Sequence, residues 1–277
     1  MKMNKFLIVF TIILLICIIV ALCAILVFTI KNGNRFDFSF SIGEDYNKIM
    51  EEEFDIENID NLKMNYKVGN IYIKQSENNN VKVIAYGKED DEIRCEIIDR
   101  TLSIEDFLKE EIDFVGKKRK IEVFLPNGYS NTIICDGNAG NINIDDFKNA
   151  KLNINTKAGN VSVQNAEFAS ITTDAGNIKV KKVPELRIVT KAGNINVDEI
   201  TKKCSLKSDA GNIKVSNLLV SENSSIETDM GNINIDETSD INVQTKNSLG
   251  KVNVENNNKN SNITVYVKTD IGNIHVK

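Results

Sequence analysis

The segment TDAGNIKV at residues 173–180 returns four times further along the chain with small changes. The copies are TKAGNINV at 190–197, SDAGNIKV at 208–215, TDMGNINI at 228–235 and TDIGNIHV at 269–276. Aligning the chain on the glycine of this segment extends the series toward the N-terminus and reveals weaker copies. The nine glycines that share the register are Gly69, Gly140, Gly159, Gly176, Gly193, Gly211, Gly231, Gly250 and Gly272.

Apolar residues alternate with polar residues on both sides of each glycine. Leu186 and Ile188 stand seven and five positions before Gly193, and Ile195 and Val197 stand two and four positions after it. Alternation with a period of two predicts strands with one buried face. Because the apolar offsets are odd before the glycine and even after it, one straight strand cannot contain both arms. Each copy is therefore predicted to be two short strands joined by a corner where glycine adopts a positive φ.

One copy cannot bury its apolar face alone, but stacked copies share a continuous core, as in solenoid proteins. The sequence therefore predicts an all-β fold, namely a parallel β-solenoid (β-helix-like) with coils of about 17–22 residues. Adjacent coils would be separated by ~4.8 Å along the axis of the stack. An antiparallel sandwich of hairpins is the alternative, but it gives no reason for one register to persist over nine copies.

Asparagine follows the glycine in every copy except the one at Lys251. This residue tolerates a left-handed backbone, and stacked side-chain amides form ladders, so we expect a structural role and not a ligand site. The predicted corner residues are Gly69, Asn70, Gly140, Asn141, Gly159, Asn160, Gly176, Asn177, Gly193, Asn194, Gly211, Asn212, Gly231, Asn232, Gly272 and Asn273.

Charged residues recur two positions before the glycine, where the alternation points the side chain outward. With coils stacked in register, Lys157, Asp174, Lys191 and Asp209 are expected to form an outer charge ladder with alternating signs. Each exposed ion pair contributes only about 0–1 kcal/mol to stability. The charge ladder is therefore expected to contribute little to the stability of the fold.

The N-terminal part contains 25 consecutive residues without a charge, Phe6–Ile30. A bilayer needs roughly 20 apolar residues, and no small-residue cleavage site follows the run. We therefore predict one uncleaved transmembrane helix within 1–31 and a single-pass protein of the cell membrane. Basic residues are nearly balanced on the two sides, but the short N-terminal tail favours a C-terminal domain outside the cytoplasm.

Three further regions follow the predicted anchor. Residues 32–60 are a membrane-proximal segment, 61–136 contain the first coil and a hairpin-rich β cap, and 137–277 contain the regular coils. We expect the strand that ends at Val276 to form an open edge, which could self-associate with a second chain.

Composition excludes several classes of function. The net charge of −5 gives no general attraction for nucleic acid, and a single histidine leaves no His-based triad or multi-His metal site. Five cysteines without a C-x-x-C pair do not suggest a disulfide framework. Phosphate-binding and dinucleotide-binding glycine motifs are absent from the sequence. We predict no catalytic residues, no metal site, no cofactor and no enzymatic activity.

The apolar N-terminal run, FDIENIDNLKMNYKVGNIYI at 54–73, KIEVFLP at 120–126 and the T-x-A-G-N-I-x-V series together resemble the bacterial putative-adhesin domain family. The resemblance covers residues 54–277. It implies a role at the cell surface, and the association of some relatives with envelope-stress signalling also permits a regulatory role. The family supplies no catalytic residues to carry over.

The residues and the resemblance together favour an envelope-exposed, non-catalytic binding or scaffold module, anchored in the membrane. Its partner would be an envelope polymer or a membrane protein. Two alternatives remain open: a regulatory subunit of an envelope-stress sensing system, and a polymerising β-helix scaffold on the cytoplasmic face. A carbohydrate-active enzyme is least favoured, because Arg187 is the only arginine among the coils.

Overall fold

The computed structural model describes residues 47–106 and 119–277, which consist almost entirely of strands. One short 3-10 helix, η1, occupies Ile56–Asn58. The strands up to the start of the regular coils are β1 Asn47–Asp55, β2 Asn61–Val68, β3 Asn70–Ser76, β4 Asn80–Gly87, β5 Ile93–Ile98, β6 Thr101–Asp106, β7 Lys120–Pro126 and β8 Thr132–Ala139.

The remaining strands belong to the repeated segment. They are β9 Ile142–Ala158, β10 Val161–Ala175, β11 Ile178–Lys182, β12 Glu185–Ala192, β13 Ile195–Ile200, β14 Lys203–Ala210, β15 Ile213–Leu218, β16 Ser224–Met230, β17 Ile233–Thr238, β18 Asn242–Leu249, β19 Val252–Val254, β20 Thr264–Ile271 and β21 Ile274–Val276.

Each coil contains a strand before a corner and a strand after it, and equivalent strands pair in parallel and in register. Ile188 lies opposite Leu206 on the wall formed by the strands before the corners, which we call the first wall. Ile195 lies opposite Ile213 on the wall formed by the strands after the corners, the second wall. β9 and β10 each run along the second wall and then continue into the first. The solenoid inferred from the glycine register is therefore confirmed, and the hairpin sandwich is wrong.

The coils do not stack in sequence order at either end. The coil β2–β3 lies between β6–β7 on one side and β8–β9 on the other. The coil β20–β21 lies between β16–β17 and β18–β19. Between these two places, the coils follow one another along the chain.

The expectation of an open edge at the strand ending at Val276 is corrected by this order. β21 pairs with β17 on one side and with β19 on the other, and β20 is likewise paired on both sides. The outermost coil at this end is β18–β19. The physical reason is that the loop at 255–263 carries the chain back, so that the later strands enter the gap beside β16–β17.

Antiparallel strands extend the opposite end of the stack. β5 pairs with β6, β4 pairs with β7, and β1 pairs with β4. β4 to β7 fall within 61–136, the region for which the sequence predicted a hairpin-rich β cap. However, β6 and β7 pair in parallel with β2 and β3 and so form a coil of their own.

The core is the column of apolar side chains between the walls. The residues at the predicted inward positions are buried in all the inner coils; Leu186, Ile188, Ile195 and Val197, for example, are at most 1% exposed. In the outermost coil, by contrast, Val252 is 45% exposed because no further coil covers it.

The predicted transmembrane helix within 1–31 lies outside the described residues. Among the residues that are described, no helix is long and apolar enough to cross a bilayer.

Candidate functional site

The glycine corners bring backbone into direct contact with backbone. Gly193 has a φ of 153°, and a Cβ placed on it would lie 2.0 Å from the carbonyl oxygen of Gly176 in the neighbouring coil. The same close approach recurs at the other corners of the regular coils. The glycines are thus required for packing as well as for conformation, and they leave no space for a ligand.

The asparagines form a ladder along the corner. The side-chain oxygen of Asn212 accepts a hydrogen bond of 2.8 Å from the backbone N–H of Asn232 in the next coil. The ladder ends at Lys251, whose N–H donates to the side-chain oxygen of Asn273 at 2.9 Å. Since Lys251 lies in the outermost coil, no further N–H needs an acceptor there, which explains the one departure from Asn. The other steps join Asn70, Asn141, Asn160, Asn177, Asn194, Asn212, Asn232 and Asn273 in that order.

Hydroxyl groups fill the inside of the corner. Thr228 donates from Oγ1 to the carbonyl oxygen of Gly211 at 3.0 Å, and Thr269 donates in the same way to Gly231 at 2.9 Å. Thr156 and Thr173 instead donate to carbonyl oxygens of their own coil. Because the glycines, the asparagines and several hydroxyl groups contact the neighbouring coil, the repeated segment is a building unit of the fold.

A polar groove on the outside of the first wall is the strongest candidate site. It spans the coils of β6, β2, β8 and β9 and the second half of β10, and it encloses about 490 Å³. The outward residues that line this polar groove are Asn65, Lys67, Glu105, Asp136, Asn138, Asn155, Lys157, Thr172 and Asp174.

Amide groups hold the carboxylates of the polar groove in place. Asn155 donates from Nδ2 to Asp136 Oδ1 at 2.7 Å, and Asn65 donates from Nδ2 to Glu105 Oε1 at 3.1 Å. Each pair joins equivalent positions of adjacent coils, so stacking fixes the spacing of the polar groups. The groove therefore presents pre-positioned acceptors and donors at intervals of one coil, ~4.8 Å.

An aromatic side chain forms the floor of the polar groove. Tyr66 is 4% exposed, and its ring occupies the space above Gly137, where a Cβ would lie 2.0 Å from Tyr66 Cζ. The Tyr66 hydroxyl reaches past that coil to Thr156 Oγ1 at 3.5 Å. Burial raises the pKa of Tyr66, so the phenol stays neutral and acts only as a hydrogen-bonding group.

Asp106 lies at the inner end of the polar groove and is 7% exposed. Its Oδ2 accepts a 2.6 Å hydrogen bond from the backbone N–H of Lys67, while its Oδ1 is buried and has no hydrogen-bond partner among the described residues. Burial raises the pKa of this carboxyl. A buried carboxylate oxygen without a donor is costly.

Two of the four residues predicted for the charge ladder line the polar groove. Lys191 Nζ lies 2.7 Å from Asp174 Oδ1, and that hydrogen bond raises the pKa of Lys191, to which Asp209 adds a smaller effect through its charge. Within the described ranges, Lys157 forms no ion pair of this kind. The structure thus joins Asp174 and Lys191 directly and leaves Lys157 facing the groove.

In the part of the chain that the structure describes, no cluster of His, Cys, Asp and Glu could hold a metal ion. The buried thiols of Cys135 and Cys204 have their pKa raised to about 12 by desolvation, which leaves them unreactive. The polar groove is suited to hydrogen bonding and charge contacts with a ligand.

Sequence reasoning did not identify Tyr66, Asp106 or Gly137. Tyr66 and Gly137 stand three positions before a corner glycine, where the later copies have Thr or Ser except at Asn247. Asp106 follows Glu105, the residue of β6 that pairs with Asn65. The absence of Thr or Ser at this position could have drawn attention to Tyr66 and Gly137. Asp106 could not be found in this way, because β6 lacks the Gly–Asn corner and could not be aligned with the other copies.

Comparison with known proteins relates the chain to one described family. Residues 59–277 match the family described as Toastrack DUF4097. No curated protein matches the chain.

Solved structures share the fold at low sequence identity. A putative adhesin from Bacteroides fragilis is similar with a TM-score of 0.55 and 19% identity, over 86% of this chain and 100% of the other. A putative adhesin from Parabacteroides distasonis is similar with a TM-score of 0.50 and 15% identity, over 85% of this chain and 99% of the other. At these identities the likeness shows a common fold.

Proposed function

The chain belongs to the Toastrack DUF4097 family, and from this premise we propose that it is a non-catalytic binding module of the cell envelope. The polar groove on the first wall is its binding site. The ligand is an extended polar polymer of the envelope that offers hydroxyl or amine groups. The two similar structures are both named putative adhesins, which agrees with a binding role.

The observation that carries the proposal is the regular spacing of the polar groups. Asn65, Asp136 and Asn155 occupy the same outward position in successive coils, so their donors and acceptors repeat along a line. A polymer also repeats its functional groups along a line and can therefore contact several coils at once. Repetition of weak contacts increases affinity without any deep pocket.

The location is proposed from the sequence. The apolar run at 6–30 would anchor the chain in the cell membrane as a single helix, and the solenoid would lie outside the cytoplasm. Proteolysis of intact cells tests this part separately: digestion of the solenoid supports it, and full protection contradicts it.

Binding to the polymer is tested with the full chain in detergent micelles. The chain is mixed with insoluble cell-wall polysaccharide, and the bound fraction is measured after centrifugation. The groove variant Asp136→Ala/Lys157→Ala removes two outward groups from adjacent coils, and we expect its affinity to fall by about tenfold or more.

The matched control carries the same change of charge on the second wall. Lys181 and Asp198 are exposed there, and Lys181→Ala/Asp198→Ala is expected to bind like the unchanged chain. Equal binding by the groove variant, or absence of binding by the unchanged chain, would contradict the proposal.

A further inference from the structure

The outermost coil, β18–β19, has a partly closed edge. Asn257 in the following loop donates from Nδ2 to the carbonyl oxygen of Val243 at 3.1 Å and accepts from the Val243 N–H at 2.9 Å. The side-chain amide thus replaces a neighbouring strand at one residue. Asn258 closes the edge at Ile241, where its N–H donates to the carbonyl oxygen at 3.0 Å.

Beyond Val243 the edge of this coil is open. Among the described strands, β18 pairs only with β20 and β19 pairs only with β21. Backbone groups of alternate residues point to the same side of a strand, so those of Thr245 face outward with those of Val243. The side chain of Thr245 is exposed. The equivalent residue of the neighbouring coil, Val267, is buried.

Large apolar side chains accompany this open edge. Met230, Ile271 and Leu249 lie opposite one another in the last three coils and are 56%, 52% and 67% exposed. They stand directly before the corner glycine, where the five coils from β8 to β14 have alanine. The alanines are Ala139, Ala158, Ala175, Ala192 and Ala210. A cluster of exposed apolar groups confined to one end marks an interaction surface.

The opposite end of the stack also has open edges, formed by β1 and β5 among the described strands. Ile97 and Ile98 of β5 are 40% and 57% exposed. As far as the described strands show, both ends of one stack therefore offer unpaired strand edges together with apolar side chains.

The strands at the two ends differ in the sign of their net charge. Residues 242–254 contain Lys246 and Lys251 and no acidic residue, whereas β1, β4 and β5 together contain five acidic and three basic residues. Lys82 of β4 pairs with Glu51 and Glu53 of β1, so the excess negative charge is small. We propose that the β18–β19 end of one copy of this chain docks on the β1–β5 end of a second copy, so that the solenoids associate head to tail.

A second copy fits this surface better than contact between two identical ends. Joining two β18–β19 ends would place Lys246 and Lys251 against the same lysines, and joining two β1–β5 ends would place acids against acids. The opposite ends instead match in charge, in exposed apolar groups and in backbone edges. A head-to-tail contact leaves both outer ends free, so association continues beyond a dimer.

The test uses the full chain in detergent micelles, followed by sedimentation velocity over a range of concentrations. The unchanged chain is expected to give a series of species that grows with concentration and shrinks as salt is raised. A single species at every concentration, or a dimer that never grows further, would overturn the proposal.

Charge reversal distinguishes the two ends. The variant Lys246→Glu/Lys251→Glu has two acidic ends, and the variant Glu52→Lys/Glu53→Lys removes the acidic character of β1. Each alone is expected to associate at least about tenfold more weakly, because like charges face each other. Mixing the two variants should restore association, since each then finds an oppositely charged end. Failure of the mixture to restore association would contradict head-to-tail contact.

Two controls distinguish association through the end of the stack from association through its sides. Lys181→Glu/Lys207→Glu makes the same change of charge at exposed positions on the walls and should leave association unchanged. Leu249→Asp is expected to weaken association, whereas Leu219→Asp, at a residue that is 41% exposed on the side of the stack, is not. Equal effects of Leu249→Asp and Leu219→Asp would show that the apolar end is not the contact.

Discussion

The backbone N–H of Asn273 donates a 2.8 Å hydrogen bond to the side-chain oxygen of Asn232, 41 residues earlier in the chain. The side-chain oxygen of Asn273 in turn accepts from the N–H of Lys251 at 2.9 Å. Residue 273 therefore lies between residues 232 and 251 in space although it follows both in sequence. The outermost coil at this end is formed by residues 242–254.

Hydrogen exchange of the backbone amides should reveal this order. Strand β20 is paired on both sides and β18 on one side only, so amides in 264–271 should exchange more slowly than those in 244–249. Mass spectrometry of peptides from the full chain measures both. Faster exchange in 264–271 than in 244–249 would mean that the coils stack in sequence order.

Replacement of Gly193 by alanine should destabilise the solenoid severely. The new Cβ would meet the Gly176 carbonyl oxygen at 2.0 Å, and the φ of 153° is strained for any residue with a side chain. We expect a loss of about 4 kcal/mol or more in the free energy of unfolding, measured by urea denaturation.

Gly128 provides the matched control for this substitution. It also has a positive φ, of 86°, but nothing lies within 4 Å of the position of a Cβ. Gly128→Ala should cost only about 1 kcal/mol, from backbone strain alone. Equal losses for the two substitutions would show that contact between the corners is unimportant.

Asn212→Ala should remove one step of the asparagine ladder. The N–H of Asn232 would lose its acceptor at 2.8 Å, at a cost of about 1–3 kcal/mol in unfolding free energy. Lys251→Ala, at the end of the ladder, should have little effect because its side chain accepts no such bond. A loss at Lys251 as large as that at Asn212 would contradict the ladder as a source of stability.

The packing of Tyr66 over Gly137 predicts a strong coupling between them. Gly137→Ala should cost about 1–3 kcal/mol, because the added methyl overlaps the Tyr66 ring. In the background Tyr66→Ala the ring is gone, and the same substitution should cost much less. A double-mutant cycle by urea denaturation measures the coupling, and additive effects would show that the two residues do not contact each other.

A buried ion pair near the β1–β5 end should make stability depend on pH. Arg119 donates to Asp91 from Nε and Nη2 at 2.6 and 2.9 Å, and the two side chains are only 11% and 6% exposed. Burial alone would raise the pKa of Asp91, but Arg119 and the Lys88 N–H hold it below its usual 3.8. The stabilisation is therefore complete above pH 3.8 and is lost as the pH falls through the lowered pKa.

Asp91→Asn tests this dependence. At pH 7 we expect the variant to be about 3 kcal/mol less stable, since it removes the carboxylate that pairs with Arg119 in a largely buried site. The difference from the unchanged chain should shrink in acid. A difference that stays constant down to the lowest measurable pH would show that Asp91 is not the titrating group. Glu92→Gln, in an exposed pair with Arg94, serves as the control and should change little.

The regular part of the fold could be predicted from the sequence because it rests on local pattern. Alternation around Gly193 identifies both strands and the corner, and repetition of that register requires parallel stacking. The asparagine at position 194 was correctly expected to bond from coil to coil, since its neighbours occupy the same position.

The ends of the stack could not be predicted, because there the order of the coils is decided by contacts distant in sequence. β6 and β7 lack the Gly–Asn corner, so no register connected them to the series. The strand β1, within the predicted membrane-proximal segment 32–60, has the acidic sequence NKIMEEEFD without alternation. The polar groove was missed for the same reason, since it needs β6 beside β2.

β20–β21 lies between two coils that both precede it in sequence, β16–β17 and β18–β19. This order has a consequence for synthesis on the ribosome. Residues 242–254 are made before residues 264–276, yet among the described strands their only ladder partners lie in that later stretch. The nascent chain therefore holds β18 and β19 without partners until the later stretch has emerged. A chain truncated after residue 260 would lack the coil β20–β21. The coil β18–β19 would then lose its ladder partners as well, so two coils of the stack would be lost.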